Sequence, residues 1–547
     1  MVEVPKGFFL HFFPVKEDLK GSRRGNNMEL ADNILRQEEK IALQLRELYE
    51  AAGYHFLRLA SFEDYRFYLE QKNFLSGGDV IKFTGSNGRL LALNPDVTLS
   101  IVKNTPSGES RKVYYNENVY RHIRKSDEYR QINQVGIEVL GEVDQETELA
   151  VVLLALQSLA QIGTGKLELS HIGLITAILD LFSTGTRGKV FTRIKNKNLP
   201  ELAQLAEAEG VSPERVAQIM EMMKLSGDLF IMLPQVAQVV TGWPAAEQAV
   251  AELAKVVSAL EQAKRPEQVE LLFDLSTVND TNYYSGLILQ GFIEGLPQAL
   301  LFGGRYDGLL KTLGKSQQAI GFGIHLDLLD QNSQEQAKEQ SAWLNVALPK
   351  GRMGQSIYEL FRDAGLAGAN LLDDSRKLVF EDSEKKIRFF LVKPSDVASY
   401  VEHGAADIGI VGRDILLETK ADVIDLLRFE LGKCRIAVAG PANFQADSTR
   451  PLRVATKYPN ITRKFFGSRS QPVDLIYLNG SIELAPIVGL ADVIVDIVET
   501  GNTLRENNLT VLEEIDVSSA RFIVNRSSWR FKKSAIIEVL EKVSEDK

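Results

Sequence analysis

Apolar side chains recur at helical spacing at Leu30, Ile34, Ile41, Leu45 and Leu48, and the pattern stops near Gly53, which predicts an amphipathic helix. Two β-type runs follow, KVYYNENVY and INQVGIEVLG, so this part of the chain reads as α+β. From about residue 186 to 265 the pattern is helical again, in ELAQLAEAEG, ERVAQIMEMM and AEQAVAELAKVVSALEQA, as an inserted helical segment would be. Residues 330–341, DQNSQEQAKEQS, are polar with a single alanine and read as a solvated linker. Beyond it strands and helices alternate: NVAL, SIYELFRDAGL with Ile357, Leu360, Phe361 and Ala364 on one face, then FFLV, DVASYVEHG and DIGIVG. That alternation predicts an α/β sheet unit. The chain therefore divides into residues 1–329, the linker 330–341, and residues 342–547.

Composition narrows the class. With 547 residues, three or four folding units are expected at about 150 residues each. Hydrophobic residues at 44% and charged residues at 25% are the mixture of a soluble globular protein, which excludes extensive disorder and fibrous repeats. No apolar run reaches the roughly 18 residues that cross a bilayer, and the N-terminus lacks a basic head with a long apolar core, so neither membrane nor secretory signal is expected. A net charge of −10 argues against a broad nucleic-acid surface while leaving room for a local anion pocket. The single cysteine, Cys434, reads as a core residue and can form neither an intrachain disulfide nor a cysteine zinc site, which suits a reducing cytoplasm. The six histidines are scattered without an HExxH pair, so no metal held by protein ligands alone is expected.

Candidate chemistry concentrates in GLADVIVDIVETGNTLRENNL, residues 489–509. An apolar strand, Val493 to Val498, is accompanied by Asp492 and Asp496 and runs into Thr500-Gly501-Asn502-Thr503-Leu504, with a helix starting near Leu504. Such a turn points several N–H groups and two threonine hydroxyls at one spot, which suits a phosphate dianion. The carboxylates would accept hydrogen bonds from ribose hydroxyls and stabilise positive charge on a sugar ring as its C1 bond breaks. A plain strand–turn–helix with a threonine cap is the competing reading. In EHGAAD, His403 reads as a structural cap and Gly404 as a helix C′ residue, while Gly409 and Gly412 would let a ligand approach the backbone.

ALPKGRMG, RKLVFED, FFLVKPSDVASYVEHGAADIGIVGRDILLE, ELGKCRIAVAGP, VATKYPNITRKFF and LNGSIELAPIVGLADVIVDIVETGNTL occur in this order. Together they resemble ATP phosphoribosyltransferase over residues 343 to about 530, in its short form because the chain ends near residue 547. The resemblance implies two lobes like a periplasmic binding protein, with attack of ATP N1 on C1 of phosphoribosyl pyrophosphate and release of pyrophosphate. Under it, Arg376 matches the family arginine on the leaving group, and Lys393 stands where many members have a second arginine. Lys350, Gly351 and Arg352 in the PKGR turn are candidates for substrate phosphates or a solvated cationic turn. Glu483 reads equally as a ribose contact or a helix cap. Magnesium would arrive with the diphosphate.

The first half resembles the catalytic domain of histidyl-tRNA synthetase from residue 5 to about 329, through VYRHIRKSDEYRQINQVGIEVLG, NDTNYYSGLILQGF and LLFGGRYDGLLKTLGKSQQAIGFGIHLDLL. This implies an antiparallel sheet with helices. Departures cluster at the ATP site. Arg121 is kept, but Ile123 replaces the glutamate two residues on, Asn279 replaces an arginine, and Leu328 replaces the motif 3 arginine after Asp327. The motif 1 proline position is Ala60, and no anticodon-binding domain precedes the linker, so no tRNA partner is expected. Asp96, Thr98, Gln134, Glu138, Tyr283 and Tyr284 match positions lining the amino-acid site, although each alone reads as an ordinary sheet or core residue. An intact amino-acid pocket beside a dismantled ATP pocket resembles the regulatory subunit of short-form ATP phosphoribosyltransferase. The chain thus reads as that regulator fused to its catalytic partner, a homo-oligomer joined through the synthetase-like part and inhibited by histidine. An aminoacyl-adenylate-forming enzyme and a solute-binding sensor are the rival readings.

Overall fold

The computed structural model describes residues 34–329 and 343–545 except 72–73, 76–79, 124–127, 279–282, 369–376 and 448. The expected linker therefore lies outside the described residues, as do Leu30, Asn279 and Arg376.

The N-terminal half is built on a nine-stranded sheet. In spatial order its strands are His55–Phe56, Arg111–Ile123, Glu128–Gly141, Gln318–His325, Leu301–Arg305, Leu287–Ile293, Gly165–His171, Val269–Asp274 and Ser226–Asp228. All neighbours are antiparallel except the first pair and the pair Gly165–His171 with Val269–Asp274. Period-two alternation feeds two apolar layers. Tyr114, Ile137 and Val139 face the layer made with helices Gln37–Ala51 and Gln145–Ile162, while Val113, Tyr115 and Leu140 face the layer made with helix Val97–Asn104. Helix Gln37–Ala51 buries Ile41, Leu45 and Tyr49 but begins after Ile34, which is 75% exposed and does not belong to the predicted stripe.

The expected helical block comprises Thr184–Lys195, Leu199–Ala208, Pro213–Lys224, Leu229–Val239 and Pro244–Gln262. Side-chain caps open three of these helices, from Asn198, Ser212 and Asp228. One interruption was not legible in the pattern: Ser226–Asp228 is a strand that closes the edge of the main sheet.

The C-terminal half has two α/β lobes. The first has six strands in the order Val379–Asp382, Ile387–Val392, Leu344–Pro349, Ile408–Gly412, Ala520–Val524 and Ile424–Arg428. The second has five, in the order Val473–Tyr477, Leu452–Thr456, Val493–Val498, Cys434–Pro441 and Leu509–Ser518. The backbone passes between lobes at residues 429–433 and again at Ser519. These crossings lie side by side: Phe429 N–H donates to Ala520 O at 2.9 Å and Ala520 N–H to Leu431 O at 3.0 Å. Cys434 is only partly buried at this hinge, not in a core.

Three glycine expectations resolve differently. Gly404 has φ +74°, as a helix C′ residue should, and an added Cβ would stand 2.6 Å from Pro297 Cβ of the N-terminal half. At Gly409 an added Cβ would meet Val401 at 2.6 Å, so this glycine admits a helix rather than a ligand. At Gly412 it would meet the Asp414 carboxylate at 2.2 Å, again an internal contact.

Candidate functional site

In the second lobe the central strand Val493–Val498 runs parallel to Leu452–Thr456, so the carboxyl ends of both strands open at one edge. That edge is where open α/β sheets hold ligands. Gly501, with φ +75°, turns the chain into helix Asn502–Glu506, and Asn502 N–H reaches Thr500 Oγ1 at 3.4 Å. Thr500, Asn502 and Thr503 are exposed there. The Leu504 side chain is buried in the lobe core, leaving only its backbone for the turn. Asp496 accepts an ion pair from Lys457 Nζ at 3.3 Å. Burial raises the Asp496 carboxyl above its usual range against the opposing charge of Lys457, and nearby Glu483 adds to the rise. Glu483 itself occupies the N-cap position of the short helix Leu484–Ile487 without a side-chain capping bond. Lys457 was not singled out from the sequence. Its signal was a cation one residue beyond a strand parallel to the acidic one.

Asp492 departs from the expectation. It accepts from Arg450 at 2.7 and 2.9 Å and from Arg453 Nη2 at 2.7 Å and the Arg453 backbone at 3.0 Å. Hydrogen bonds from Arg450, then from Arg453, hold its carboxyl well below the usual range. It precedes the strand, four residues from Asp496, a separation of about 13 Å in extended chain. Asp492 is thus tied to the base of the strand by two arginines.

In the first lobe, Pro349 pairs with Val392 in parallel register and Lys350 N–H donates to Val392 O at 2.8 Å, so Lys350 and Lys393 follow adjacent strand ends. Both are exposed. Gly351 has φ +98°, and a Cβ on Gly354 would stand 1.7 Å from Pro349 O, so helix Arg352–Asp363 sits tightly over the strand end. Arg352 Nη2 reaches Glu499 Oε2 at 3.2 Å, an exposed pair that joins the two lobes beside the threonine turn.

The N-terminal half gathers a second polar set. Glu138 accepts from Thr98 Oγ1 at 2.6 Å and from Tyr306 at 2.5 Å. Burial, with a smaller contribution from the Asp96 charge, pushes it up to about 7. Asp96 caps helix Val97–Asn104 through Leu99 N–H at 2.9 Å, and burial raises it while Arg121 opposes. Arg121 Nε donates to Pro95 O at 3.3 Å, and Gln134 Nε2 to Tyr115 at 3.3 Å. Tyr283 meets Tyr284 edge-on at 5.3 Å and lies tilted against Tyr306 at 5.9 Å. Room for these side chains comes from the facing strand: a Cβ on Gly321 would lie 1.9 Å from Glu138 Oε2, and one on Gly323 2.0 Å from Gln134 Nε2. Tyr115, Tyr306 and His325 belong to the same neighbourhood and were missed, because core tyrosines and a strand-end histidine give no local signal. Burial, then Arg121, lowers His325 to about 4. Leu328 packs on the apolar core. The Ile123 side chain and Asn279 lie outside the described residues.

Comparison with known proteins agrees with this two-part arrangement. The family model described as histidyl-tRNA synthetase matches residues 28–329, more than half of the chain. The model described as ATP phosphoribosyltransferase matches residues 393–545. An ATP phosphoribosyltransferase of Brachyspira hyodysenteriae is 55% identical over 203 residues, 37% of this chain and 98% of the relative. One from Caldanaerobacter subterraneus subsp. tengcongensis is 52% identical over 202 residues, 37% of this chain and 96% of the relative. A solved structure, the ATP phosphoribosyl transferase (HisG:HisZ) complex from Thermotoga maritima, has 38% identity and a TM-score of 0.34, covering 37% of this chain and 97% of that one. The chain belongs to the histidyl-tRNA synthetase family through residues 28–329 and to the ATP phosphoribosyltransferase family through a C-terminal region that includes residues 393–545, and it is an ATP phosphoribosyltransferase.

Proposed function

We propose that residues 342–547 join ATP to phosphoribosyl pyrophosphate in the cleft between the two lobes and that residues 1–329 form a histidine-binding regulator, the two joined by the linker 330–341. Thr500, Gly501, Asn502, Thr503 and the Leu504 N–H hold the 5′-phosphate. Asp496, oriented by Lys457, accepts the ribose hydroxyls and faces the positive charge that grows on the ring as the C1–oxygen bond breaks. N1 of ATP supplies the electron pair, and pyrophosphate leaves with the electrons of the broken bond. Lys350, Arg352 and Lys393 draw off that diphosphate, together with Arg376. Lysine at position 393 provides charge without the two-pronged geometry of arginine. The magnesium substrate complex enters as a unit. Little covalent chemistry falls to the protein, so alignment and charge neutralisation supply the rate.

In the regulatory half, the acceptor set Asp96, Glu138 and Gln134, walled by Tyr283 and Tyr284, suits the ammonium and imidazole of free histidine. Arg121 offers a cation to its carboxylate. No tRNA or membrane partner enters this reading. The chain works in the cytoplasm as a homo-oligomer joined through its synthetase-like part. The observation that carries the regulatory reading is the pair Gly321 and Gly323, whose missing Cβ atoms admit the Glu138 and Gln134 side chains, while Leu328 packs on the apolar core.

The test is phosphoribosyl-ATP formation, with and without histidine, on wild type, Thr500→Ala and Glu138→Gln. Thr500→Ala should cost on the order of 10²–10³ in rate. Glu138→Gln should keep the rate and lose inhibition. Unchanged turnover in the first, or unchanged inhibition in the second, contradicts the corresponding half of the proposal.

A further inference from the structure

Helix Leu199–Ala208 of the regulatory half meets the transferase beside the hinge. Its cap, Asn198, accepts from Glu201 N–H at 3.1 Å and donates to Asp425 Oδ2 at 2.7 Å, while Asp425 N–H donates to Asn196 O at 2.8 Å. Three guanidiniums converge on Glu201: Arg193 at 2.7 Å from its own half, and Arg413 at 3.0 Å and Arg521 at 2.5 Å from the transferase. Burial opposes ionisation of Glu201, but the three cations hold it below the usual carboxylate range.

Arg413 has a second task. Its Nη1 donates to Asp516 Oδ1 at 2.6 Å and Val517 O at 2.8 Å, on the strand that leads into the crossing at Ser519. Its backbone N–H donates to Ser519 O at 3.0 Å. The next residue, Asp414, accepts from Ser518 at 2.8 Å and from Tyr458 of the second lobe at 2.8 Å. The absent Cβ at Gly412 makes room for this clasp. One guanidinium therefore touches the regulatory helix and the strand that leads into the crossing between the lobes.

We propose that Arg413 is a positioning residue through which the regulatory half sets the lobe angle: the Glu201–Arg413–Asp516 bridge ties the seat of helix Leu199–Ala208 to the hinge. The proposal rests on the histidine-regulator reading above. A helix that shifts takes Glu201 with it and changes the hold of Arg413 on Asp516, so cleft geometry follows the regulatory state. Hinges are bistable elements that can amplify such small displacements.

The test uses the full chain carrying Asp516→Asn, a half-buried position outside the substrate set. Three quantities are read: histidine affinity by calorimetry, the transfer rate without histidine, and inhibition at saturating histidine. Allosteric coupling usually amounts to about 5- to 150-fold. The bridge predicts wild-type histidine affinity, a retained basal rate and at least about a fivefold loss of inhibition. Glu201→Gln, which weakens the other end, should show the same separation of binding from inhibition. If either variant binds histidine normally and is still inhibited as fully as wild type, the bridge is overturned. Wild type that fails to bind histidine, or binds it without inhibition, sinks the regulator reading itself, and the two failures are thereby distinguishable.

Discussion

Arg530 grips Glu168 through two hydrogen bonds of 2.8 and 2.9 Å, and both side chains are only 2% exposed although they come from opposite halves of the chain. Thr277 Oγ1 donates to the same carboxylate at 2.6 Å, and the Phe292 ring lies 4.6 Å from the guanidinium. This buried charge pair ties the two halves of the chain together. Removing one partner strands the other in a low-dielectric interior.

Arg530→Met should therefore destabilise the protein by about 3–5 kcal/mol, the usual cost of breaking a buried pair. Adding Glu168→Gln should recover part of that loss, since the stranded charge is gone. Denaturant unfolding of the single and double variants measures both. A single variant within about 0.5 kcal/mol of wild type, the range of ordinary surface changes, would show that the clasp is not a structural tie.

Histidine affinity should depend on pH through Glu138. Burial raises this carboxyl to about 7, so below neutrality the empty pocket holds it protonated. A cationic ligand group requires the ionised form, and the ligand must then supply the cost of losing that proton. Affinity is expected to fall about tenfold per unit below pH 7 and to level off above it. The folding contribution has the opposite sign: with the folded pKa above the unfolded one, Glu138 stabilises the empty protein at low pH, and that benefit is lost as pH rises through 7. Calorimetric titration between pH 5.5 and 8.5 checks the affinity, and Glu138→Gln should flatten the profile.

The Gly321→Ala variant tests the same pocket sterically. Its Cβ would stand 1.9 Å from Glu138 Oε2 and 2.3 Å from Ile137 O, so the strand or the carboxylate must move. Histidine binding should weaken more than tenfold, while transfer in the absence of histidine stays near the wild-type rate. Normal binding with normal inhibition would argue that the ligand sits elsewhere.

What could be read from the chain followed how local each signal was. Strand Val493–Val498 and its turn, the β-type runs KVYYNENVY and INQVGIEVLG, and the helical block are local patterns, and the structure has strands and helices there; that the two runs pair as a hairpin was not legible. Asp492 and Asp496 look equivalent in sequence, but Arg450 and Arg453, from another segment, bind the first. Lys457 and Tyr115 escaped for a related reason, since parallel pairing and cross-strand register decide what they meet. Arg413 was invisible as well. Its meaning depends on Glu201, more than two hundred residues away.

The separation of Asp496 from Asp492 gives the sharpest test of the transferase cleft. Asp496→Asn keeps the size of the side chain but removes the charge facing the reacting sugar, so kcat should fall on the order of 10²–10³ with little change in unfolding temperature. Lys457→Met should lower kcat less, through a misplaced Asp496, because lysine only orients that carboxylate. Asp492→Asn should do the reverse. Two arginines would lose a shared anion at the base of the strand, lowering the unfolding temperature, while kcat and the KM for phosphoribosyl pyrophosphate remain close to wild type. Thermal unfolding and steady-state kinetics on the three variants decide the matter: a kinetic collapse in Asp492→Asn with an unchanged melting curve would return Asp492 to the substrate site.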